Sequence, residues 1–449
     1  MLSRLKRFIP KSLFPAYHWA LAYVAAAWYH WPSKRLIVIG VTGTNGKTTT
    51  ANLIAAVLEA SGAKVGLTTT ANFRIAGEET VNALKMTMPG RFFLQRMLRR
   101  MVDAGCRYAV IETSSQGLEQ FRHLGIEYDV AVFTNLTPEH IEAHGGFENY
   151  KRAKLKLFQR LARDRRKHLP GRGDVLKTII VNLESEYAWE FLDHRADKKY
   201  GYLIEGGEHA VGTEADRPLT FVKALDYAVM PAGSIFSVHG TRFDLKLPGR
   251  YNALNALAAI AVGLSQDIGL EMMARALARI EFVPGRFERI EEGQDFQVIV
   301  DYAPEPESMR QLYGVIETMP KKRLIHVLGS AGGGRDKSRR PVLGDFAGRR
   351  ADIVIVTNED PYDEDPQAII DAVAAGALQA GKREGINLFR VLDRRTAIAR
   401  ALDLAGPGDL VLLTGKGSEQ AIMGPNGTST PWDERQAVRD LLRLRLSRR

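Results

Sequence analysis

Short apolar runs alternate with longer segments of helical periodicity along most of this chain. The runs are rich in Val, Ile and Leu and are bounded by Gly, Asn, Asp or Thr, as is typical of buried strands. They predict strands over residues 36–41, 64–69, 108–112, 129–135 and 177–182. Helical periodicity lies between them, as at residues 91–104 and 148–161. This alternation predicts a parallel sheet covered by helices on both faces.

The pattern changes in the second half of the chain. Residues 219–247 predict antiparallel strands, helices follow over 251–264 and 271–280, and Val283-Pro284-Gly285 predicts a linker. A second series of strands is predicted over residues 297–301, 323–328, 353–357, 388–392 and 410–414, with a last helix over 435–444. We therefore expect three parts: an N-terminal segment (1–34), a central domain (35–283) and a C-terminal domain (284–449).

The first predicted strand runs directly into the sequence TGTNGKTTT, which opens a helix. Gly43 and Gly46 allow a tight turn, so that backbone N–H groups and the helix N-terminus face one anion. Lys47 adds a cation, and the hydroxyl of Thr48 is placed to bind a phosphate-bound Mg²⁺. The common phosphate-loop pattern has Gly where Val41 stands, so the sequence matches only the narrower motif TGTNGKTTT. The alternative interpretation of this segment is a Gly-rich turn between a buried strand and a helix, without phosphate binding. We expect an α/β fold, with a P-loop central domain of mostly parallel sheet and a Rossmann-like C-terminal α/β domain.

Composition limits the class of protein. At 449 residues, with 45% hydrophobic and 25% charged residues, the chain predicts two or three globular domains. The net charge of +10 favours anionic substrates or an anionic membrane face, whereas no motif for nucleic-acid binding is present. The single cysteine, Cys106, excludes an internal disulfide and a Cys-based zinc site, as suits a reducing cytoplasm. We expect a cytoplasmic monomer.

Residues 1–32 are unusual because basic residues precede an aromatic run without formal charge. Arg4, Lys6, Arg7 and Lys11 come before LFPAYHWALAYVAAAWYHW. The run is too weakly apolar for a confident spanning helix, and a secretory signal would export the nucleotide loop that follows it. Two interpretations carry equal weight: a helix lying in the membrane interface at its inner face, and a helix packed on the body of the protein.

Beyond the loop, four features at the C-terminal ends of predicted strands could carry chemistry. Glu112 ends the strand YAVIE, where an apolar residue would be usual, and its carboxylate could hold Mg²⁺. His140 follows the strand ending near residue 135, although a lone His is more often a satisfied polar residue. Lys154 lies in the helix YKRAKLKLF, where a solvated cation is the default. Arg335, in GGGRDKSRR, carries a guanidinium suited to phosphate or carboxylate.

Ten motifs together make the sequence similar to the Mur ligase family, in its tripeptide synthetase branch, over nearly all of residues 36–444. The resemblance implies an ATP-dependent ligase of peptidoglycan precursor synthesis. ATP phosphorylates the carboxylate of a muramoyl-dipeptide, and the amine of an amino acid displaces phosphate from the acyl phosphate. The motifs occur in the family's order: TGTNGKTTT, IETSSQGL, FTNLTPEHIEAHG, YKRAKLKLF, LPGRYNALNALAA, VPGRFE, VDYA, GGGRDKSRRP, NEDPYDEDP and GKGSE.

The resemblance also implies two Mg²⁺ ions and roles for individual residues. The metal ligands would be Thr48, Glu112, His140 and a carbamylated Lys154. The catalytic residues would be Lys47, Glu112, His140, Lys154 and Arg335. The ATP contacts would be Gly43, Thr44, Asn45, Gly46, Lys47, Thr48, Thr49, Asn255, Asp301 and Arg335. The acceptor contacts would be Thr87, Ser114, Gln120 and Arg122, and the amino-acid contacts Asp360, Tyr362, Arg394, Gly415 and Glu419.

The sequence departs from the family pattern at the amino-acid site. The usual DNPR reads Glu359-Asp360-Pro361-Tyr362, so Tyr362 replaces the Arg that binds the distal carboxylate of diaminopimelate. Asp360 instead offers a negative charge, which favours a lysine-like side chain by charge matching. Three family His positions are also changed, to Gln116, Pro304 and Ser418.

The front of the chain departs further, because residues 1–32 stand where the family has its uridine-binding domain. An interfacial helix there would suit a lipid-linked muramoyl-peptide. The same motifs are compatible with three alternative functions: a folylpolyglutamate-synthetase-like ligase, a Mur-like subunit acting on lipid-linked muropeptide, and a non-catalytic membrane scaffold. The second usually carries a four-cysteine zinc ribbon, which one cysteine cannot build. A generic nucleotide switch would leave the Lys154 helix unexplained.

Overall fold

The computed structural model of the protein describes residues 14–138, 144–171, 173–207, 218–230 and 233–448. It begins with helix α1 (Phe14–Trp28), which carries no charged residue. Ala22, Ala25 and Ala26 on one face of α1 are fully buried. A 3₁₀ turn (Pro32–Arg35) then leads into the first strand. Within the described ranges, no helix is both long and apolar enough to cross a membrane.

The central unit is built on one large sheet. Its strands are β1 (Ile37–Thr42), β2 (Val65–Thr68), β3 (Asn72–Ile75), β4 (Glu78–Val81), β5 (Tyr108–Glu112), β6 (Val130–Phe133), β7 (Lys167–Leu169), β8 (Gly173–Val175), β9 (Thr178–Asn182), β10 (Lys198–Ile204), β11 (Thr220–Met230), β12 (Gly233–Val238) and β13 (Thr241–Leu245). In the described part of the chain, eleven strands form the order β13-β12-β11-β10-β9-β6-β1-β5-β2-β3-β4, while β7 and β8 form a separate hairpin. Pairing is parallel from β11 to β2 and antiparallel at both ends.

Helices cover both faces of this sheet, so its central strands are buried on both sides. The helices are α2 (Lys47–Ala60), α3 (Arg91–Asp103), α4 (Ser115–Glu119), α5 (Phe147–Arg163), α6 (Ala188–Leu192), α7 (Arg250–Ser265) and α8 (Leu270–Leu277). Helices α2, α7 and α8 share one apolar core, and α3 and α5 border the other. Every residue of β1 (IVIGVT) is buried, because apolar β-branched side chains fit both covered faces. Helix α1 packs on α3.

The C-terminal unit has its own sheet and core. Its strands are β14 (Glu288–Arg289), β15 (Gln297–Val300), β16 (Leu324–Leu328), β17 (Ile353–Thr357), β18 (Leu388–Val391), β19 (Leu410–Leu413), β20 (Ala421–Met423) and β21 (Ser429–Pro431). Its helices are α9 (Pro306–Thr318), α10 (Arg339–Arg350), α11 (Pro366–Gln379), α12 (Arg394–Leu404) and α13 (Glu434–Leu446). Six described strands form the order β14-β15-β19-β16-β17-β18, which is parallel except at β14.

The predicted α/β class and the predicted strands are confirmed, with ends shifted by a few residues at most. The hairpin of β3 and β4 was not predicted, since its sequence NFRIAGEETV is largely polar and partly exposed. The predicted helix near the N-terminus exists as α1 and packs on the protein body. The division at residues 283 and 284 stays a prediction.

Candidate active site

One large cavity, of about 1170 Å³ including its open mouth, is lined by residues of both units. It gathers many of the residues singled out from the sequence. From that set its lining contains Thr44, Asn45, Gly46, Lys47, Thr48, Thr49, Thr87, Glu112, Ser114, Lys154, Asn255 and Asp301. It does not contain Gly43, Gln120, Arg122, Arg335, Asp360, Tyr362, Arg394, Gly415 or Glu419. His140 lies outside the described residues.

The glycine loop is shaped by close backbone approaches. Gly46 has φ +80°, and a Cβ there would lie 2.4 Å from Oδ1 of Asn255. A Cβ on Gly43 would lie 1.9 Å from Oγ1 of Thr134. Asn135, which follows β6, holds the loop in place. Its carbonyl accepts the N–H of Thr44 and its side-chain oxygen accepts the N–H of Asn45, each at 2.8 Å. The N-terminus of α2 therefore opens onto the cavity as an anion site.

The carboxylate of Glu112 is buried beside this loop and accepts hydrogen bonds from two threonines. Thr48 donates its hydroxyl at 2.9 Å. Thr70 donates its backbone N–H at 2.7 Å and its hydroxyl at 3.0 Å. Glu112 thus stands at the carboxyl end of β5 as a positioned oxygen ligand, next to a hydroxyl of the phosphate loop.

Lys154 points into the protein, in contrast to the solvated default. Its side chain is 1% exposed, and Nζ donates to the carbonyl of Gly43 at 2.7 Å. The ammonium also lies 4.3 Å from the ring centroid of Tyr150, whose hydroxyl is 3.1 Å from Oγ1 of Thr44. Helix α5 therefore holds one of its lysines against the glycine loop.

His144, four residues after His140 in the sequence, contacts residues that line the cavity. Nε2 of His144 is 3.1 Å from the hydroxyl of Ser115, and its ring is 5.3 Å from that of Tyr150. Burial lowers the pKa of His144 below the ordinary histidine range. A neutral imidazole is therefore the favoured form of His144.

The C-terminal unit contributes a carboxylate to the opposite wall. Asp301 accepts the N–H groups of Phe287 at 2.7 Å and Ala303 at 2.8 Å. Burial raises its pKa, and the Arg286 guanidinium opposes that shift. A direct hydrogen bond joins the two units at the loop, because Nδ2 of Asn45 donates to Oε1 of Glu305 at 2.6 Å.

The structure places the four residues predicted for the acceptor in two groups. Thr87 and Ser114 line the cavity, where the hydroxyl of Thr87 lies 2.8 Å from that of Thr70 and Ser114 caps α4. Gln120 and Arg122 lie beyond the lining and contact each other at 2.6 Å. Arg335 is also outside it, with its guanidinium 5.6 Å from the ring centroid of Tyr362.

The charge reasoning for a lysine-like substrate was wrong in its premise. Asp360 is buried and already receives two internal ammonium groups, Lys416 at 2.9 Å and Lys85 at 2.7 Å. Glu419 receives the same two lysines, at 2.7 and 3.0 Å. Two cations therefore balance two anions, and Asp360 offers no uncompensated charge to an incoming side chain.

Arg394 is likewise committed to internal contacts in this structure. Its guanidinium makes a buried pair with Glu434 at 2.6 Å and donates to the carbonyls of Asn358 and Thr414. Gly415 packs so tightly that a Cβ would lie 2.3 Å from Oε2 of Glu359. The structure places Arg394 and Gly415 outside this cavity, at the carboxyl edge of the C-terminal sheet, and their role in binding the amino acid stays a prediction.

Sequence reasoning missed several residues of the cavity and loop. Thr70 and Tyr150 line the cavity, and Asn135 and Glu305 hold the loop. A signal existed for two of them, because Thr70 ends a run of threonines at the end of a strand and Asn135 ends the predicted strand 129–135. Glu305 could be assigned only once the two units were seen together.

The chain is similar to known proteins along nearly its whole length. The Mur ligase middle domain matches residues 41–263, and the Mur ligase, glutamate ligase domain matches residues 285–417. A protein of Roseiflexus sp. (strain RS-1), named UDP-N-acetylmuramyl-tripeptide synthetase, is 40% identical over 97% of this chain and 84% of its own length. A 2,6-diaminopimelate-adding ligase of Syntrophomonas wolfei is 36% identical over 94% of this chain and 82% of its own length.

Solved structures show the same fold. A UDP-N-acetylmuramoyl-L-alanyl-D-glutamate--2,6-diaminopimelate ligase has a TM-score of 0.57 at 26% identity, covering 92% of this chain and 79% of its own. The folylpolyglutamate synthase of Mycobacterium tuberculosis, solved with ADP and AMPPCP, has a TM-score of 0.67 at 18% identity, covering 89% and 92%. The resemblance inferred from the motifs is confirmed: the chain belongs to the Mur ligase family of ATP-dependent, amide-forming ligases.

Proposed function

We propose that this protein adds an amino acid to the carboxylate of a muramoyl-dipeptide, through an acyl phosphate, during synthesis of peptidoglycan precursors. The observation that carries the proposal is the cavity in which the glycine loop, Glu112 and Lys154 face Asp301 of the other unit. The names of the related ligases support the choice of acceptor.

ATP would bind with its phosphates on the glycine loop. Lys47 and the loop N–H groups meet the phosphates, with Asn255 near the base, Asp301 near the ribose and Arg335 reaching the phosphates from the C-terminal unit. An oxygen of the acceptor carboxylate then bonds to the γ-phosphorus as the bond to ADP breaks. The amine nitrogen next bonds to the acyl carbon, phosphate leaves, and the nitrogen loses a proton. Positioning and charge neutralisation by the loop carry this chemistry.

The donors present fit Mg²⁺. Thr48 and Glu112 offer hard oxygen ligands that already lie 2.9 Å apart, and Mg²⁺ takes its other ligands from phosphate and water. A second ion would use His140 and Lys154. When bound, the ions neutralise the charge on the phosphoryl group during its transfer. We infer that Thr48, Glu112, His140 and Lys154 hold them.

Lys154 suits this role as a carbamate. Its amine would bond to CO₂ and release a proton, giving an anionic oxygen ligand in place of a cation that repels the metal. The carbamate nitrogen keeps one N–H, which can still donate to the carbonyl of Gly43. Burial of the side chain protects the modification from water.

The decisive measurement is ADP release by the purified full chain with ATP and Mg²⁺. We expect release only when UDP-linked muramoyl-dipeptide and an amino acid are both present, with lysine, ornithine, diaminopimelate and glutamate tested in turn. A parallel reaction with reduced folate and glutamate tests the folylpolyglutamate alternative. ADP release with folate alone, and none with muramoyl-dipeptide, would replace the proposal.

We further propose that the protein works in the cytoplasm, as a monomer, with α1 touching an anionic membrane surface. The outer side of α1 exposes Trp19 by 54% and Trp28 by 72%. The rings of Trp19 and Tyr23 lie 4.8 Å apart, those of Tyr23 and Trp31 lie 5.9 Å apart, and Nζ of Lys34 is 5.2 Å from the Trp31 ring. Exposed Trp and Tyr beside a cation are typical of a helix lying in the membrane interface.

Vesicle sedimentation tests the membrane contact. The full chain should bind vesicles of phosphatidylglycerol and phosphatidylcholine, and added salt should weaken the binding. The double variant Trp19→Gln, Trp28→Gln should bind at least about tenfold more weakly, because each buried tryptophan contributes roughly 1.5–3 kcal/mol. The control Ile386→Gln, at a residue 61% exposed in the C-terminal unit, should bind normally. A dimer that dissociates in the double variant would contradict the membrane assignment.

A further inference from the structure

Two arginines of the central unit lie side by side, held by neutral groups. Arg91 opens α3 and donates to the backbone carbonyl of Gln120. Arg122 donates to the carbonyl of Met88 and to the side-chain oxygen of Gln120. Neither forms an ion pair with a carboxylate in the described part of the chain, and Nε of Arg91 is shielded there without a hydrogen-bond partner.

Partial burial makes this arrangement unfavourable unless an anion joins it. Burial and the neighbouring Arg122 lower the pKa of Arg91 to about 10, and burial lowers that of Arg122. A buried arginine elsewhere, Arg340, meets the carboxylate of Glu364 at 2.9 Å. Placing two like charges in a partly desolvated site costs free energy that a bound dianion would offset.

The pair lies just beyond the acceptor end of the cavity. Met88, whose carbonyl binds Arg122, follows Thr87, which lines the cavity. Ser114 also lines it and caps the short helix α4, which leads to Gln120. On the other side, α1 packs on α3, the helix that Arg91 opens. The arginines therefore stand between the cavity and α1.

We propose that Arg91 and Arg122 form a subsite for the diphosphate that links the acceptor to its carrier. This rests on the proposed function, since it names where the far end of that acceptor binds. Two planar guanidinium groups match the geometry and the charge of a diphosphate, whereas a single carboxylate would balance only one of them. A diphosphate is common to nucleotide-linked and polyprenyl-linked muramoyl-peptides. Arg91 belongs to none of the sequence motifs and is the new member of the site.

The test compares three acceptors in ADP-release kinetics: UDP-linked, polyprenyl-diphosphate-linked and carrier-free muramoyl-dipeptide. Arg91→Ala should raise KM for the diphosphate-bearing acceptors roughly tenfold to a hundredfold, because charge-assisted hydrogen bonds are lost, with little change in kcat. KM for the carrier-free acceptor should stay unchanged. Arg91→Lys should restore part of the affinity, and Arg96→Ala, at an exposed position of α3, is the matched control.

The two diphosphate-bearing acceptors separate the sources of the ligand, because the one with the lower KM in the unaltered protein identifies the carrier. An equal rise in KM for the carrier-free acceptor overturns the proposal in favour of a peptide carboxylate. An unchanged KM for all three also overturns it.

A binding measurement separates this inference from the proposed function. Inorganic diphosphate, titrated in the presence of saturating ADP to occupy the glycine loop, should bind the unaltered protein and bind Arg91→Ala roughly tenfold more weakly. If no muramoyl acceptor supports ADP release, the proposed function fails, and this titration still decides the subsite. Equal binding of diphosphate to the unaltered protein and to Arg91→Ala would overturn the proposed subsite.

Discussion

Two regions of the molecule use their charged residues in opposite ways. We call the glycine loop the first wall and the carboxyl edge of the C-terminal sheet the second wall. At the glycine loop, Lys47 donates to the backbone carbonyl of Thr44, which is neutral, so its charge is not cancelled there. At the carboxyl edge of the C-terminal sheet, Lys85, Lys416 and Arg394 each meet a carboxylate at 2.6 to 2.9 Å. The first wall is prepared for an anion, and the second is stabilised by its own ion pairs.

This difference teaches that a motif residue is informative only together with its partner. Lys47 and Arg394 both sit in motifs that resemble binding sites, and both were assigned to ligands from the sequence. The partner of Lys47 is local, three residues away, whereas the partner of Arg394 is 40 residues away in α13. A distant partner of this kind is invisible in the sequence.

The largest expected effect comes from breaking the buried pair of the second wall. Arg394→Leu should lower the free energy of unfolding by about 3–5 kcal/mol in urea denaturation, because it leaves Glu434 buried without its counter-charge. The exposed pair of Arg166 and Asp197 is the matched control, and Arg166→Leu should change stability by less than about 1 kcal/mol. A stable Arg394→Leu protein with a raised KM for the amino acid would return Arg394 to the binding site.

The next effect concerns the first wall. Lys47→Ala should lower kcat roughly a hundredfold to a thousandfold, because one group that neutralises the transferring phosphoryl is lost, while urea denaturation stays unchanged. Lys64→Ala removes another lysine that donates to a carbonyl, at 3.2 Å from Ala104, and should leave the rate unaltered. Equal activity of Lys47→Ala and the unaltered protein would show that the loop does not hold the reacting phosphate.

The smallest effect probes the contact between the units. Lys85 reaches from the central unit to Asp360 and Glu419, so Lys85→Met should reduce the free energy of unfolding by about 1.5 kcal/mol. Lys416 still neutralises both carboxylates, which keeps the loss modest. The control is Lys337, which forms an ion pair with Glu364 at the surface. Lys337→Met should reduce the free energy of unfolding by less than about 1 kcal/mol. If the two variants lose equal stability, the contact between the units adds nothing beyond a surface ion pair.

The fold was largely predictable because its strands and helices carry strong local patterns. Strand β1 is continuously apolar, and the turn at Gly43 and Gly46 follows from residues adjacent in sequence. The hairpin of β3 and β4 escaped, since polar residues dominate it and its pairing depends on the neighbouring β2. Local sequence therefore predicts strands best where an apolar run is continuous.

The features of the candidate site likewise divide into those that local sequence predicts and those that depend on packing. The sequence alone determined the glycine loop, Glu112 at a strand end and the family, because each depends on residue type and order. Only the tertiary structure decided that Lys154 points inward to Gly43 and that Asp360 is paired with two lysines. It also decided that Arg91 lies beside Arg122 with no carboxylate partner among the described residues. The physical reason is that availability of a charge depends on burial and on partners distant in sequence, which packing alone brings together.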